Sequence, residues 1–240
     1  EVAVGLEDRW PAPPEEVRLD LARVAEEERS QQKHEDHLRA LRDEMRGFAL
    51  YTTKGMDFSW RSMREYLARY ADRGIALNVI QLVGHGALRL AAMGFARRAP
   101  TPAELLAMER LMDESMRDGA WGLATGLIYA PGSYARTDEI VAVARRAAAA
   151  RGFYASHIRG EGATLLDSVR EAIRVGREGG LPVQVSHLKA AGRPHWGRVA
   201  DALALIDAAR AEGLDVMADA YPYTASSTSL RTLLPDWVLE

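Results

Sequence analysis

His157, His187, Lys189 and Tyr221 are the residues whose types and placement suggest chemistry. They fall in three phrases: Phe153-Tyr-Ala-Ser-His157-Ile-Arg-Gly-Glu-Gly162, Val183-Gln-Val-Ser-His187-Leu-Lys189-Ala-Ala-Gly192 and Asp219-Ala-Tyr221-Pro-Tyr-Thr-Ala-Ser-Ser227. Three short apolar runs of strand length each end in side chains of these phrases that bind a metal or orient a substrate. Neutral imidazoles at the ends of adjacent parallel strands lie close enough to share one zinc, and zinc generates hydroxide near neutral pH. Two histidines alone read equally well as hydrogen-bonded core residues. Lys189, two positions after His187, either reaches the same cavity and binds a carboxylate or is an ordinary solvated lysine.

The elements that must position these residues alternate along the chain. Thr101-Pro102-Ala-Glu104 is a helix start with a capping box and Pro at the first helical position; Leu105, Met108, Leu111, Met112 and Met116 follow on one face and Gly119 ends it. The methionines read as core filler and not as a copper site. Trp121-Gly-Leu-Ala-Thr125-Gly126 is a short strand with Leu127-Ile-Tyr129-Ala-Pro131-Gly132 as its loop. Helices follow from about Thr137, over Leu165, Leu166, Val169 and Ile173 to Gly179-Gly180, and over Val199, Leu203 and Ile206 to Gly213.

Upstream, Ser59 is an expected N-cap for the stripe Trp60, Met63, Tyr66, Leu67 and Tyr70. Ala76–Val83 is expected to be a buried parallel strand opening into a loop at Gly84-His85-Gly86. His85 there is either functional or a structural loop histidine. Residues 15–46 are rich in Glu, Arg, Asp and Gln and read as solvated helices, with His34 and His37 on their surface.

Strand, loop and helix in units of roughly 30 residues is a βαβ series with parallel strands and right-handed crossovers. Six strands are expected, near Val2, Ala76, Trp121, Phe153, Val183 and Asp215. Such a series gathers His85, Thr125, Tyr129, His157, His187 and Tyr221 at one face. A closed (β/α)8 barrel and an open doubly wound sheet both give this placement, although no Gly-rich phosphate cradle follows the first strand.

Composition limits the functions available. The chain has 240 residues, 48% of them hydrophobic, and a net charge of -3, which suits one domain and disfavours a nucleic-acid partner. No apolar run of about 18 residues marks a membrane span, and the charged start does not resemble a signal peptide. A cytoplasmic location is the resulting expectation. With no cysteine, any metal must be held by His, Asp, Glu or a modified Lys.

The three phrases, with Val83-Gly-His85-Gly-Ala-Leu-Arg89 and Gly122-Leu-Ala-Thr-Gly-Leu-Ile-Tyr129-Ala-Pro-Gly-Ser-Tyr134, closely resemble the N-acyl-D-amino-acid deacylases (D-aminoacylases) of the amidohydrolase superfamily. The resemblance runs from about Trp60 to Trp237. It implies a TIM-type metallo-hydrolase barrel that hydrolyses the amide of an N-acyl-D-amino acid, with one or two Zn2+ as cofactor. His157 and His187 match the family's zinc-binding histidines on the fifth and sixth strands. Lys189, Tyr221 and Ser227 match residues that hold the substrate carboxylate, and Tyr129 matches a residue near the pocket.

Three departures accompany the matches. The family's His-x-His pair has no counterpart here, and neither does its late general acid/base Asp. The phrase Val4-Gly-Leu-Glu7-Asp-Arg-Trp-Pro-Ala-Pro13 aligns with the one carrying the family's bridging cysteine, placing Glu7 as a possible third metal ligand. The expectation is therefore a partial barrel of about six βα units, with a charged insertion over 15–58 and the site-bearing portion over 59–240. It would be the interior of a larger deacylase, its open edges covered by further chain or by a homo-oligomer. A non-catalytic binding module on this scaffold and a cyclic-amide hydrolase of dihydroorotase or hydantoinase type are the alternatives.

Overall fold

The computed structural model describes residues 59–226 together with Thr228 and Thr232, all within the unit Ser59–Glu240. Glu7, Ser227, His34, His37, the expected strand at Val2 and the expected 15–58 insertion lie outside the described residues.

Helix α1, Met63–Arg73, starts one turn later than the Ser59 reading places it: Ser62 is the cap, accepting from the Glu65 amide at 3.2 Å. Then come β1 Val83–Gly84, α2 His85–Met93, α3 Pro102–Arg117, β2 Gly122–Gly126, α4 Thr137–Ala149, β3 Phe153–His157, α5 Leu165–Gly179, β4 Val183–Val185, α6 Val199–Ala211 and β5 Val216–Ala218. The capping box at Thr101 and Glu104 forms as the sequence implies. Met108 and Met112 of α3 are fully buried.

The strands make one parallel sheet in the order β1-β2-β3-β4-β5. Chain order without reversal lacks the switch point of a doubly wound sheet. The two faces of the sheet also differ. Leu123, Thr125, Tyr154, Ser156, Val183, Val185 and Val216 share one face by register, and all are buried. They meet Ile140, Val143 and Ala144 of α4 and Val169 and Val175 of α5 in the core. The opposite face carries Ala124, Gln184 and Met217, the last 51% exposed. Helices covering one face while the other faces a lumen is the arrangement of a (β/α)8 barrel. Among the described residues the sheet is open, with β1 and β5 at its edges.

The expected strand over Ala76–Val83 is mostly not a strand. Register pairs Val83 with Leu123, and the Trp121 amide donates to the Gln81 carbonyl at 2.9 Å. Residues before Gln81 would lie opposite the turn that closes α3, where no strand offers amides. Ile75, Leu77, Val79 and Ile80 are accordingly exposed. Among the described residues no helix is long and apolar enough to cross a membrane.

Two ionic clusters, one buried and one half-buried, hold the loops at the carboxyl end of the sheet. His85 is no loop residue; it begins α2 and is fully buried, its Nε2 3.1 Å from Oε1 of Glu139 on α4. Arg89 Nη1 donates to both oxygens of Glu139 at 2.8 and 2.6 Å, and Nη2 donates to the Ala96 and Arg98 carbonyls at 3.0 and 2.9 Å. Burial alone would raise the Glu139 pKa, but the hydrogen bonds and charges of His85 and Arg89 outweigh it and hold the carboxyl below its ordinary value.

Arg159, two residues past the end of β3, makes the second cluster. It forks onto Glu171 of α5 at 2.9 and 2.8 Å and donates to the Ser133 and Ala135 carbonyls, each at 2.9 Å. The Ser133 amide in turn donates to the Tyr129 carbonyl at 2.8 Å, so this clamp fixes the loop that carries Tyr129.

Glu139→Ala leaves the buried Arg89 guanidinium without its anion and should cost about 3–5 kcal/mol in urea unfolding. In the parent, the folded-state pKa of Glu139 lies below the unfolded one, so the unfolded chain takes the proton first as pH falls. Its stabilisation should be complete above about 4.5, the ordinary value, and drain away below it; a pH titration of the urea midpoint reads this, and Glu139→Gln should flatten it. Arg159→Ala should cost about 1–3 kcal/mol and speed hydrogen exchange at the Ser133 and Ala135 amides. Lysine at 159 should restore little, because one ammonium cannot span the fork and both carbonyls.

Candidate metal centre

The β3–β4 register places His157 and His187 at neighbouring strand ends: Ser156 pairs with Val185, and the Ser186 amide donates to the Ser156 carbonyl at 2.9 Å. The strand then turns sharply. His187 has φ 42°, the left-handed region that non-glycine residues avoid. Asp219, just past β5, holds this turn: its Oδ1 accepts from the His187 amide at 2.6 Å and its carbonyl accepts from the Leu188 amide at 2.8 Å. Its other oxygen accepts from the Gln184 side chain at 2.6 Å.

The result brings Nδ1 of His157 to 2.7 Å from Nε2 of His187, ring centroids 4.4 Å apart. Among the described residues that is the one hydrogen bond of the His157 ring; its buried Nε2 has no partner. The hydrogen-bonded reading left open by the sequence thus holds in part: the ring is bonded, but to the other candidate histidine at the cavity wall. Burial, followed by the charges of His187 and Lys189, holds the His157 pKa below its ordinary value against the opposing pull of Glu161. The ring is therefore neutral at pH 7, as a metal ligand must be.

Lys189 and Glu161 complete the cluster. The Lys189 ammonium bonds Oε1 of Glu161, lies 3.1 Å from Nδ1 of His187 and stands 5.3 Å from the centroid of the Tyr221 ring. Tyr129 packs against His157 at 5.5 Å between ring centroids, and its hydroxyl is 3.0 Å from Oγ1 of Thr228. His157, Glu161, His187, Lys189, Tyr129 and Tyr221 all line a cavity of about 660 Å³, which Ile128, Tyr223, Ala225, Ser226 and Thr228 complete. Of the residues singled out in the sequence, Tyr129, His157, His187, Lys189 and Tyr221 thus lie together. His85 and Thr125 do not join them: His85 is tied to Glu139, and Thr125 is buried on the helix-facing side, bonded to Tyr154 at 2.7 Å. Burial pushes the Tyr154 hydroxyl up to about 12.

The residues fit a zinc-type ion. Ligand atoms of His157, Glu161 and His187 lie within 4.8 Å of one another. Two nitrogens sharing one tetrahedral zinc with bonds of about 2.0–2.1 Å stand roughly 3.3 Å apart. The observed 2.7 Å is a hydrogen-bonded spacing, and a slight opening of the two rings converts it to a ligating one.

Sequence reasoning missed Glu161 and Asp219. Both stand in the quoted phrases and at strand ends; the signal was an acidic residue within four positions of a candidate histidine, or opening the phrase of a candidate tyrosine.

No family model matches the chain. It is 41% identical over 178 residues to a D-aminoacylase of Alcaligenes xylosoxydans xylosoxydans, covering 74% of this chain and 37% of that protein. It is 46% identical over 154 residues to an N-acyl-D-glutamate deacylase of the same organism, covering 64% of this chain and 32% of the relative. The fold matches the crystal structure of an N-acyl-D-glutamate deacylase from Bordetella bronchiseptica, solved with zinc and a phosphonate inhibitor, at TM-score 0.66 and 41% identity over 68% of this chain and 34% of that one. It also matches a D-aminoacylase studied for its binuclear metal centre, at TM-score 0.65 and 40% identity. The chain spans about a third of the length of these relatives. With the parallel sheet, the paired histidines and this similarity in agreement, the chain belongs to the N-acyl-D-amino-acid deacylase family of amidohydrolases.

Proposed function

We propose that the chain forms the metal-holding and carboxylate-binding part of an enzyme that hydrolyses N-acyl-D-amino acids to a carboxylate and a free D-amino acid. The observation that carries this reading is the facing pair of His157 Nδ1 and His187 Nε2, 2.7 Å apart, in one cavity with the Lys189 ammonium. His157 and His187 would hold zinc, with Glu7 as a further ligand and one or two ions in the complete site. When bound, zinc polarises the acyl carbonyl and lowers the pKa of water toward neutrality.

The remaining work falls to the chain's own groups. Lys189 offers its ammonium to the substrate α-carboxylate, which competes with Glu161, the present anion of that lysine. Tyr221 lies against the Lys189 side chain and, with Ser227, would orient the same carboxylate. Tyr129 and Ile128 form the wall beside His157 against which the amide lies. Stereochemistry follows from holding the carboxylate at Lys189 and the amide at the histidines, because inverting Cα swaps side chain and hydrogen. The reading includes a cytoplasmic setting, and further chain or a second copy against the β1 and β5 edges.

The test is zinc content of this chain, together with hydrolysis of N-acetyl-D- and N-acetyl-L-amino acids by the complete enzyme of which it is proposed to form part. Bound zinc and turnover of the D series alone are expected, and His157→Ala should lose both. Lys189→Met should raise KM by roughly 10–100-fold, the value of a charge-assisted hydrogen bond, while sparing an N-acyl amine that lacks the carboxylate. Zinc-free protein, or turnover indifferent to His157→Ala, would contradict the proposal.

A further inference from the structure

Nδ1 of His187 has two neighbours of opposite charge: Oε1 of Glu161 at 3.2 Å and Nζ of Lys189 at 3.1 Å. The other nitrogen of the ring, Nε2, is the one that faces His157. A neutral imidazole carries a single hydrogen, so the two sides of the ring are linked. If Nδ1 accepts from Lys189, the hydrogen sits on Nε2, points at Nδ1 of His157 and occupies the place of a shared cation. If Nδ1 carries the hydrogen, Nε2 presents a bare lone pair. Ligation through Nε2 therefore requires a hydrogen-bond acceptor beside Nδ1, and an ammonium cannot accept. The carboxylate of Glu161 can.

Glu161 is built to stay there. Its carbonyl accepts from the Ala191 amide at 2.7 Å, which ties the β3–α5 loop to the β4–α6 loop, and its side chain is only 14% exposed. Its bond to the Lys189 ammonium draws on the donor that would otherwise compete for Nδ1; Lys189 also donates to the His187 carbonyl at 3.2 Å. The proximity of three donor groups alone would make Glu161 a third ligand. Its oxygen, however, approaches the His187 nitrogen on the side away from His157.

We propose that Glu161 is a positioning residue for His187: it accepts the Nδ1 hydrogen, fixes the ring as an Nε2 ligand, and does not itself bind the metal. This rests on the metal-centre reading above. Metal-bound histidines commonly give their second N–H to a carboxylate, and loss of that partner weakens metal binding 10–100-fold.

The experiment is a zinc titration of the parent protein, Glu161→Ala and Glu161→Gln, with long-range proton–nitrogen NMR of the 15N-labelled histidine rings to read their tautomers. A cobalt-loaded sample of each reports the donor set by its visible absorption. The Nδ1–H tautomer of His187 is expected in the zinc-loaded parent. Glu161→Ala should move metal-free His187 toward Nε2–H and weaken zinc by about 10–100-fold. Glu161→Gln, which keeps an acceptor oxygen, should fall between them, and the cobalt spectrum should keep its donor set. Unchanged tautomer and affinity in Glu161→Ala, or a cobalt spectrum that loses an oxygen donor, would overturn the assignment while leaving the metal centre standing. A parent that takes up no zinc would overturn both.

Discussion

The site depends on the register of β3 against β4. Pairing of Ser156 with Val185 sets the ends of the two strands level, so the next residues in chain order emerge side by side at the mouth of the lumen. A slip of one residue would turn every side chain of a strand to the other face, sending His157 into the helix layer and Ser156 into the cavity. The helix-facing side opposes such a slip: Tyr154, Ser156, Val183 and Val185 are all buried there, and the Tyr154 hydroxyl is bonded to Thr125 and Ser156 at 2.7 and 3.2 Å. Packing on the outside of the sheet thus fixes chemistry on its inside.

Register alone does not aim His187. The strand has to break its extended path, and the left-handed backbone of His187 costs of order 1–3 kcal/mol. Asp219 offsets that cost with two hydrogen bonds to the turn, one from its side chain and one from its backbone. The ion clusters around Glu139 and Arg159 do the same for the neighbouring loops. In each, one arginine side chain satisfies two backbone carbonyls, so the loops above the sheet are held by a few ionic contacts and not by length or regularity. Exposed pairs such as Arg174 with Glu178 and Asp138 add little by comparison.

Much of this was legible in the sequence because parallel βα units punctuate themselves. Thr101-Pro102 and Gly119 bound a helix, short apolar runs at Trp121, Phe153 and Val183 mark strands, and the residues closing those runs had to gather at one face. The choice between a barrel and a doubly wound sheet was not legible, since both obey that grammar; strand order and the unequal burial of the two faces decided it. The run at Ala76–Val83 misled because apolarity does not by itself supply a pairing partner, and the chain opposite its first half is a turn. Glu161 and Asp219 were hidden for another reason. Their roles are set by which atom of His187 they meet, and spacing along a chain does not encode that. His85 was placed near a strand end correctly, yet its partner Glu139 lies on a helix far along the sequence.

The central claim is that the facing nitrogens of His157 and His187 share one cation. Anomalous diffraction at the zinc edge from zinc-soaked crystals of the protein tests it most directly. The claim requires a peak within bonding distance, about 2.0–2.1 Å, of both His157 Nδ1 and His187 Nε2, with the two rings opened from their present spacing. A zinc ion found elsewhere in the cavity, with the imidazoles still hydrogen-bonded to each other, would contradict it.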